Sequence, residues 1–278
     1  MHDLALPLLV ALVAMALAFD FLNGLHDAAN SIATVVSTQL LSPVMAVAFA
    51  AVGNFLAYWI VGLHVAETVG SGIIDKDVVT PSVVFGALGG AMVWNVLTWI
   101  KGLPSSSSHA LIGGLLGAGI AHSGFGAVES AGTSKTLIAI VLSPMIGFAI
   151  AMLLMLLTSV LFQRTSPSRA NRAFKGLHLV SAAAQSISHG GNDAQKTMGV
   201  IAVLLYSTGH LEGKFHVPEW VVLSCYAAMS LGTLSGGWRI IRTMGTRLTR
   251  LNHHSGFCAS TASSIVLFGA SAFGIPVS

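Results

Sequence analysis

Apolar runs long enough to cross a bilayer recur along the whole chain, and short polar clusters separate them. A transmembrane helix needs roughly 17–25 mostly apolar residues. The pattern predicts helices over residues 4–22 with 28–40, 43–66, 82–101, 105–121, 136–162, 176–190 with 194–208, 219–236 and 256–273. Polar residues split two of these runs, at 23–27 and at 188–193, and both read as broken transmembrane helices. Non-helical backbone survives at membrane depth only where protein or a water-filled cavity satisfies it, so such breaks mark a site. The predicted class is an all-α polytopic membrane protein.

Two polar connections fix an orientation. Residues 163–175 carry Arg164, Arg169, Arg172 and Lys175, and residues 237–255 carry Arg239, Arg242, Arg247 and Arg250, with no acidic residue in either. The positive-inside rule puts both in the cytoplasm. A third connection, 67–81, carries Glu67, Asp75, Lys76 and Asp77. If 82–101 and 105–121 form one re-entrant hairpin with its tip at 102–108, parity places the N-terminus outside.

The chain also repeats itself. Residues 23–30 (Asn-Gly-Leu-His-Asp-Ala-Ala-Asn) have a counterpart in 189–196 (His-Gly-Gly-Asn-Asp-Ala-Gln-Lys), and 102–106 (Gly-Leu-Pro-Ser-Ser) in 274–278 (Gly-Ile-Pro-Val-Ser). Order and spacing agree: 75 residues separate Asp27 from Gly102, and 81 separate Asp193 from Gly274. With the parity above, the halves are inverted repeats with broken helices and re-entrant hairpins. The first spans 1–162, a basic linker spans 163–175, and the second spans 176–278.

Composition supports the membrane assignment. Hydrophobic residues make up 54% of 278 and charged residues 8%, against roughly 25% charged in a soluble domain. No basic arm points to nucleic acid. Cys225 and Cys258 sit in or beside apolar helices as reduced thiols. The first apolar run lacks a basic leader segment and reads as retained rather than as a signal peptide.

The motifs carry the chemistry. An ionisable residue within a membrane segment is functional by default, and Asp27 and Asp193 are matched. A carboxylate beside Asn side chains suits a hard cation or a proton, which makes Asn23, His26, Asp27, Asn30, Asn192 and Asp193 the candidate cation-coupling residues. His26 suits proton relay near neutral pH. Ser105, Ser106, Ser107 and Ser108 precede an apolar helix, and hydroxyls with free N–H groups at a helix start make an anion site. Asn30, Asn192, Asp193, Lys196 and Thr197 complete the candidate substrate ligands. Gln185, Ser186 and Ser188 are weaker candidates, and Lys101 can pair or snorkel. Burying a doubly charged anion without cations is costly, so co-bound cations or a metal–phosphate complex are physically reasonable.

These four motifs together resemble the inorganic phosphate transporter (PiT) family, whose signature is a G-A-N-D-V-A-N-A-like segment in each half followed by a G-L-P-V-S-T-T-H-like segment. His26 replaces an Asn of that signature, and this departure, with residues 102–109, resembles the bacterial low-affinity Pit branch. The resemblance covers essentially the whole chain. It implies symport of inorganic phosphate with a cation, H+ favoured over Na+, with a divalent metal accompanying phosphate as an option and no resident cofactor. It further implies a multi-pass protein of the inner (plasma) membrane, embedded in a lipid bilayer, and leaves a homodimer open. The family's second hairpin motif continues beyond the point where this sequence stops, at Ser278. The expectation is a half-formed second gate and poor uptake by residues 1–278. Two other readings compete: a transporter of another oxyanion such as sulfate, and an intramembrane serine hydrolase using Ser108 and a His. No G-x-S-x-G elbow supports the hydrolase.

Overall fold

Proline and hydroxyl side chains set where the helices begin. Pro43 follows Ser42, whose hydroxyl accepts from the Met45 N–H, and Pro81 follows Thr80, whose hydroxyl accepts from the Val83 N–H. Proline at the first helical position lacks only an N–H that would be unpaired anyway, and the hydroxyl satisfies another. Asn252 and Ser255 form a reciprocal capping box.

A computed structural model describes residues 6–211, 213–243 and 251–277. Its helices are α1 (Leu6–Ser37), α2 (Pro43–Ile60), α3 (His64–Gly72), α4 (Pro81–Lys101), α5 (Ser107–Ser123), α6 (Ser130–Phe162), α7 (Pro167–Ser207), α8 (Glu219–Ser235), α9 (Trp238–Thr243) and α10 (His253–Ala272), with 3-10 turns at Lys76–Val78 and Phe125–Ala127. The all-helical expectation holds. Among the described residues, five helices (α1, α2, α4, α6 and α10) are long and apolar enough to cross a membrane. In α6 only Gly132, Thr136 and Ala139 are buried, and an apolar helix left uncovered on most sides suits a hydrocarbon environment.

α4 and α5 pack against each other as a hairpin that turns at Gly102. Gly102 ends α4 at φ 63°, and the Leu103 N–H reaches back to the Thr98 carbonyl at 2.9 Å. Gly274 after α10 has the same φ of 63°, and the Ile275 N–H reaches back to Ala270 at 2.8 Å. Both ends are left-handed glycine caps. The Gly-x-Pro motifs noted as counterparts in the sequence therefore share one local geometry.

The two expected helix breaks are absent. α1 runs continuously through residues 23–27, and α7 through 188–193. The polar groups need not leave the helix because neighbouring segments meet them from the side. The glycines admit a close neighbour rather than a bend. A Cβ at Gly24 would lie 2.1 Å from the Met229 carbonyl oxygen, and one at Gly232 would lie 2.0 Å from that of Phe21, so α1 and α8 touch backbone to backbone. The expected helix 43–66 is two helices, because Val61 is extended (φ −105°, ψ 129°). The basic stretch 163–175 is helical from Pro167 onward. Arg247 and Arg250 lie outside the described residues.

The α1–α8 contact yields a prediction. Overpacking normally costs about 1–3 kcal/mol, and here the obstacle is backbone, which cannot rotate away. Gly24→Leu should therefore reduce folded yield and unfolding temperature more than Gly90→Leu, where a Cβ meets nothing within 4 Å. Size-exclusion profiles and thermal unfolding of the two variants check this.

Candidate substrate and cation site

The polar residues of α1 and α7 recur at helical spacing. Asp20, Asn23, Asp27 and Asn30 share one side of α1, and Gln185, His189, Asn192 or Asp193, and Lys196 one side of α7. Side chains three, four and seven apart share a helix face. Asp20, Asp27 and Asp193 are each 0% exposed, and Lys196 is 1% exposed.

The hairpin tip between α4 and α5 enters this polar layer and divides the serine run by role. Ser107 donates to Asp27 Oδ2 at 2.5 Å and also bonds Asn23. Ser108 donates toward Asp193 Oδ1 at 3.4 Å and receives the Lys196 ammonium. Ser106 caps α5 through the His109 N–H at 3.1 Å, and Ser105 donates to Thr98 at 3.3 Å. Ser107 and Ser108 are buried against carboxylates, whereas Ser105 and Ser106 line a cavity of about 660 Å³. Asn30, His109, Gln185, His189 and Val277 also line it, and α6 around Pro144 and α10 around Ala262 form the rest of its wall.

Each carboxylate has its own surroundings. Asp27 Oδ1 accepts from His26 Nδ1 at 3.0 Å, and the other ring nitrogen of His26 meets Thr98 Oγ1 at 3.0 Å. Asp193 Oδ1 holds the Lys196 ammonium at 2.5 Å. Its Oδ2 lies 3.3 Å from His189 Nε2, yet neither atom has an aligned hydrogen bond. Ligand atoms of Asp27, His189 and Asp193 all fall within 4.8 Å of one another, and all three residues are buried. Two carboxylates with unsatisfied buried atoms between them fit a cation.

The remaining candidates lie close by. Asn192 Nδ2 donates to Ser271 Oγ at 2.9 Å and to the Ile275 carbonyl at 3.2 Å, while its Oδ1 accepts from the Val277 N–H at 3.1 Å. It therefore ties the second Gly-x-Pro segment to α7. Thr197 donates to Asp20 Oδ1 at 2.9 Å. Gln185 Nε2 donates to the Asn30 carbonyl at 3.2 Å. Lys101, at the C-terminal end of α4, is exposed. Three participants were not singled out as candidates from the sequence: Asp20, Thr98 and His189. For Asp20 and His189 the signal was present, since each continues the helical spacing of its motif by one or two turns.

Comparison with known proteins gives this layer its context. A profile described as "Phosphate transporter family" matches residues 23–171 and 163–278. The chain belongs to the phosphate transporter family. It is 60% identical over 275 residues to a protein of Rhizobium meliloti (strain 1021) named "Probable low-affinity inorganic phosphate transporter", covering 99% of this chain and 82% of that one. A Bacillus subtilis (strain 168) protein of the same name is 41% identical over 279 residues, covering 99% of this chain and 83% of the relative. Among solved structures, one described as "The sodium-dependent phosphate transporter" superposes with a TM-score of 0.87 at 22% identity, covering 98% of this chain and 86% of that chain. That likeness establishes a shared fold. The chain is a family member of transporter type rather than an enzyme, which removes the serine hydrolase reading. Ser108 is buried between Asp193 and Lys196.

Proposed function

We propose that this protein imports inorganic phosphate by symport with a cation, with phosphate in the cavity beside Ser105, Ser106 and Asn30 and the cation between Asp27, His189 and Asp193. One observation carries the reading: two buried carboxylates from α1 and α7 meet both buried serines of one hairpin tip, directly beside a cavity whose polar lining comes from Asn30, Ser105, Ser106, His109, Gln185 and His189 together with Ser143 and Ser263. A cation at the carboxylates offsets the charge of the anion, which burial alone would make costly. Loading either species then favours the other, and that mutual dependence is the basis of symport. The names of the relatives supply the choice of phosphate.

H+ is the favoured coupling ion and Na+ the alternative. His26 beside Asp27 supports H+, because an imidazole can pass a proton to a neighbouring carboxylate near neutral pH. The name of the structural neighbour supports Na+. The Asp27, His189 and Asp193 group also suits a divalent ion accompanying phosphate, since imidazole and carboxylate are both good ligands for such ions. The two-halves organisation belongs to the same proposal and is supported by the matched caps at Gly102 and Gly274. So does placement in the plasma membrane, with the N-terminus outside and the basic stretches inside.

The test is equilibrium binding of radiolabelled phosphate to the purified protein, with pH, Na+ and Mg2+ varied independently and sulfate as competitor. Phosphate should displace the label and sulfate should not. Equal displacement by sulfate would replace phosphate with a broader oxyanion. A hydrogen bond to a charged group is worth about 1.5–3 kcal/mol, so Ser105→Ala should weaken phosphate binding about 10–100-fold. Unchanged binding would remove Ser105 from the site.

A further inference from the structure

The two carboxylates of the site differ in one respect that the repeat makes visible. Three residues after Asp27 stands Asn30; three residues after Asp193 stands Lys196. Asn30 is uncharged, partly exposed and on the cavity wall. Lys196 is fully enclosed, and its ammonium contacts three oxygens: Asp193 Oδ1, Ser108 Oγ and the Val277 carbonyl, each at 2.5 Å. An ammonium has three protons to donate and no acceptor capacity, so this set satisfies it completely.

A carboxylate, a hydroxyl and a backbone carbonyl are also the oxygen donors that a hard cation gathers. They come from α7, from the first hairpin tip and from the second Gly-x-Pro segment. The ammonium thus sits where a free cation would otherwise be coordinated by the same three segments. Asp27 has no Lys or Arg partner among the described residues; its side-chain contacts are His26 and Ser107.

We propose that Lys196 is a covalently tethered counter-cation that permanently fills the cation position of the second carboxylate, so that one fewer free cation is needed to charge-balance the site. This inference rests on the cation-coupled reading above and deepens it. Lys196 compensates Asp193 through Oδ1 in every loading state, and only the space bounded by Asp27, His189 and Asp193 Oδ2 exchanges ions. Lys196 thereby helps set how many ions accompany each phosphate.

The decisive variants replace Lys196 with a neutral amide, as the first half has at Asn30. Radiolabelled Na+ binding and thermal unfolding, in Na+ against choline, are measured on purified wild type, Lys196→Asn and Lys196→Gln. The amide variants should bind one more Na+ per chain than wild type. Their unfolding temperature, lowered in choline, should rise with Na+ by more than that of wild type. Adding Asp193→Asn should abolish the extra ion. If both amide variants gain no Na+ site, or stay unstable at every Na+ concentration, the proposal falls, because the three oxygens then do not accept a free cation. Phosphate binding by wild type, measured on the same preparations, separates this outcome from failure of the transport reading. Wild type that binds no phosphate would sink that reading while leaving the Na+ comparison interpretable.

Discussion

Asp27→Asn is expected to lower phosphate uptake about 100-fold in cells while the protein still reaches the membrane in normal amount. Asn keeps the shape of the side chain and an oxygen that accepts from Ser107, so the hairpin tip stays docked. What is lost is the negative charge that the coupling cation requires and the charge-assisted bond to His26. Charge-assisted hydrogen bonds are worth about 1.5–3 kcal/mol each, and every 1.4 kcal/mol is about tenfold. A charge partner for the transported cation plus one such bond therefore accounts for the expected loss. No Lys or Arg among the described residues is left unpaired by this change, so the unfolding temperature in detergent should move little. Uptake at the wild-type rate, normalised to membrane-inserted protein, would remove Asp27 from the coupling site.

Asp193→Asn is expected to fail differently. Here the substitution leaves the Lys196 ammonium in a fully enclosed place without its countercharge, facing only neutral oxygens: the new amide, Ser108 and the Val277 carbonyl. Removing one partner of a buried ion pair costs about 3–5 kcal/mol, a large share of the roughly 5–15 kcal/mol that holds a typical protein folded. Low folded yield and a large drop in unfolding temperature should follow, where Asp27→Asn shows neither. Replacing the pair together, as Asp193→Asn with Lys196→Met, removes the stranded charge. The double variant should recover most of the lost stability and still not transport. A single Asp193→Asn protein as stable as wild type would show that the pair contributes nothing to the fold.

The sequence made the helical class, the hairpin at residues 102–106 and the matched motifs legible, because each depends on local pattern. Run length gave the spans, and Gly followed by x-Pro gave the turns after α4 and α10. It misled at residues 23–27 and 188–193. Glycine beside Asn, His and Asp reads as a helix break, but the same residues serve equally well as a smooth contact face beside an inward polar stripe. Which applies depends on what packs against the helix, and Met229 and Phe21 are some 200 residues apart in the chain. Reading the helices as broken also hid Asp20. On a continuous helix, Asp20, Asn23 and Asp27 share one face; on a helix ending at 22, Asp20 is a stray polar residue near an end. Thr98 carried no signal, because one Thr in an apolar helix most often bonds its own backbone, as this one also does to Trp94. The differing fates of the four serines were likewise invisible, since only the approach of α1 and α7 separates Ser107 and Ser108 from Ser105 and Ser106.

The enclosure of α7 bears on how the chain is assembled in the membrane. Residues 188–205 of α7 are buried throughout, and α7 is not among the five helices apolar enough to span on their own. A charged residue at the centre of a lone inserting helix costs about 2.5–3.5 kcal/mol, and α7 carries Asp193 and Lys196 there. Their spacing lets the two charges neutralise each other within a single turn before any other helix arrives. Even so, α7 lacks the apolar surface to settle in lipid singly. It packs against α1, α2 and α3, already synthesised, and against α8 and α10, made later, so its stable entry waits on both sets. The helix that carries half of the site is thus among the last to become secure during biogenesis. A protein with a damaged α10 should therefore be cleared by membrane quality control before any loss of transport could be observed.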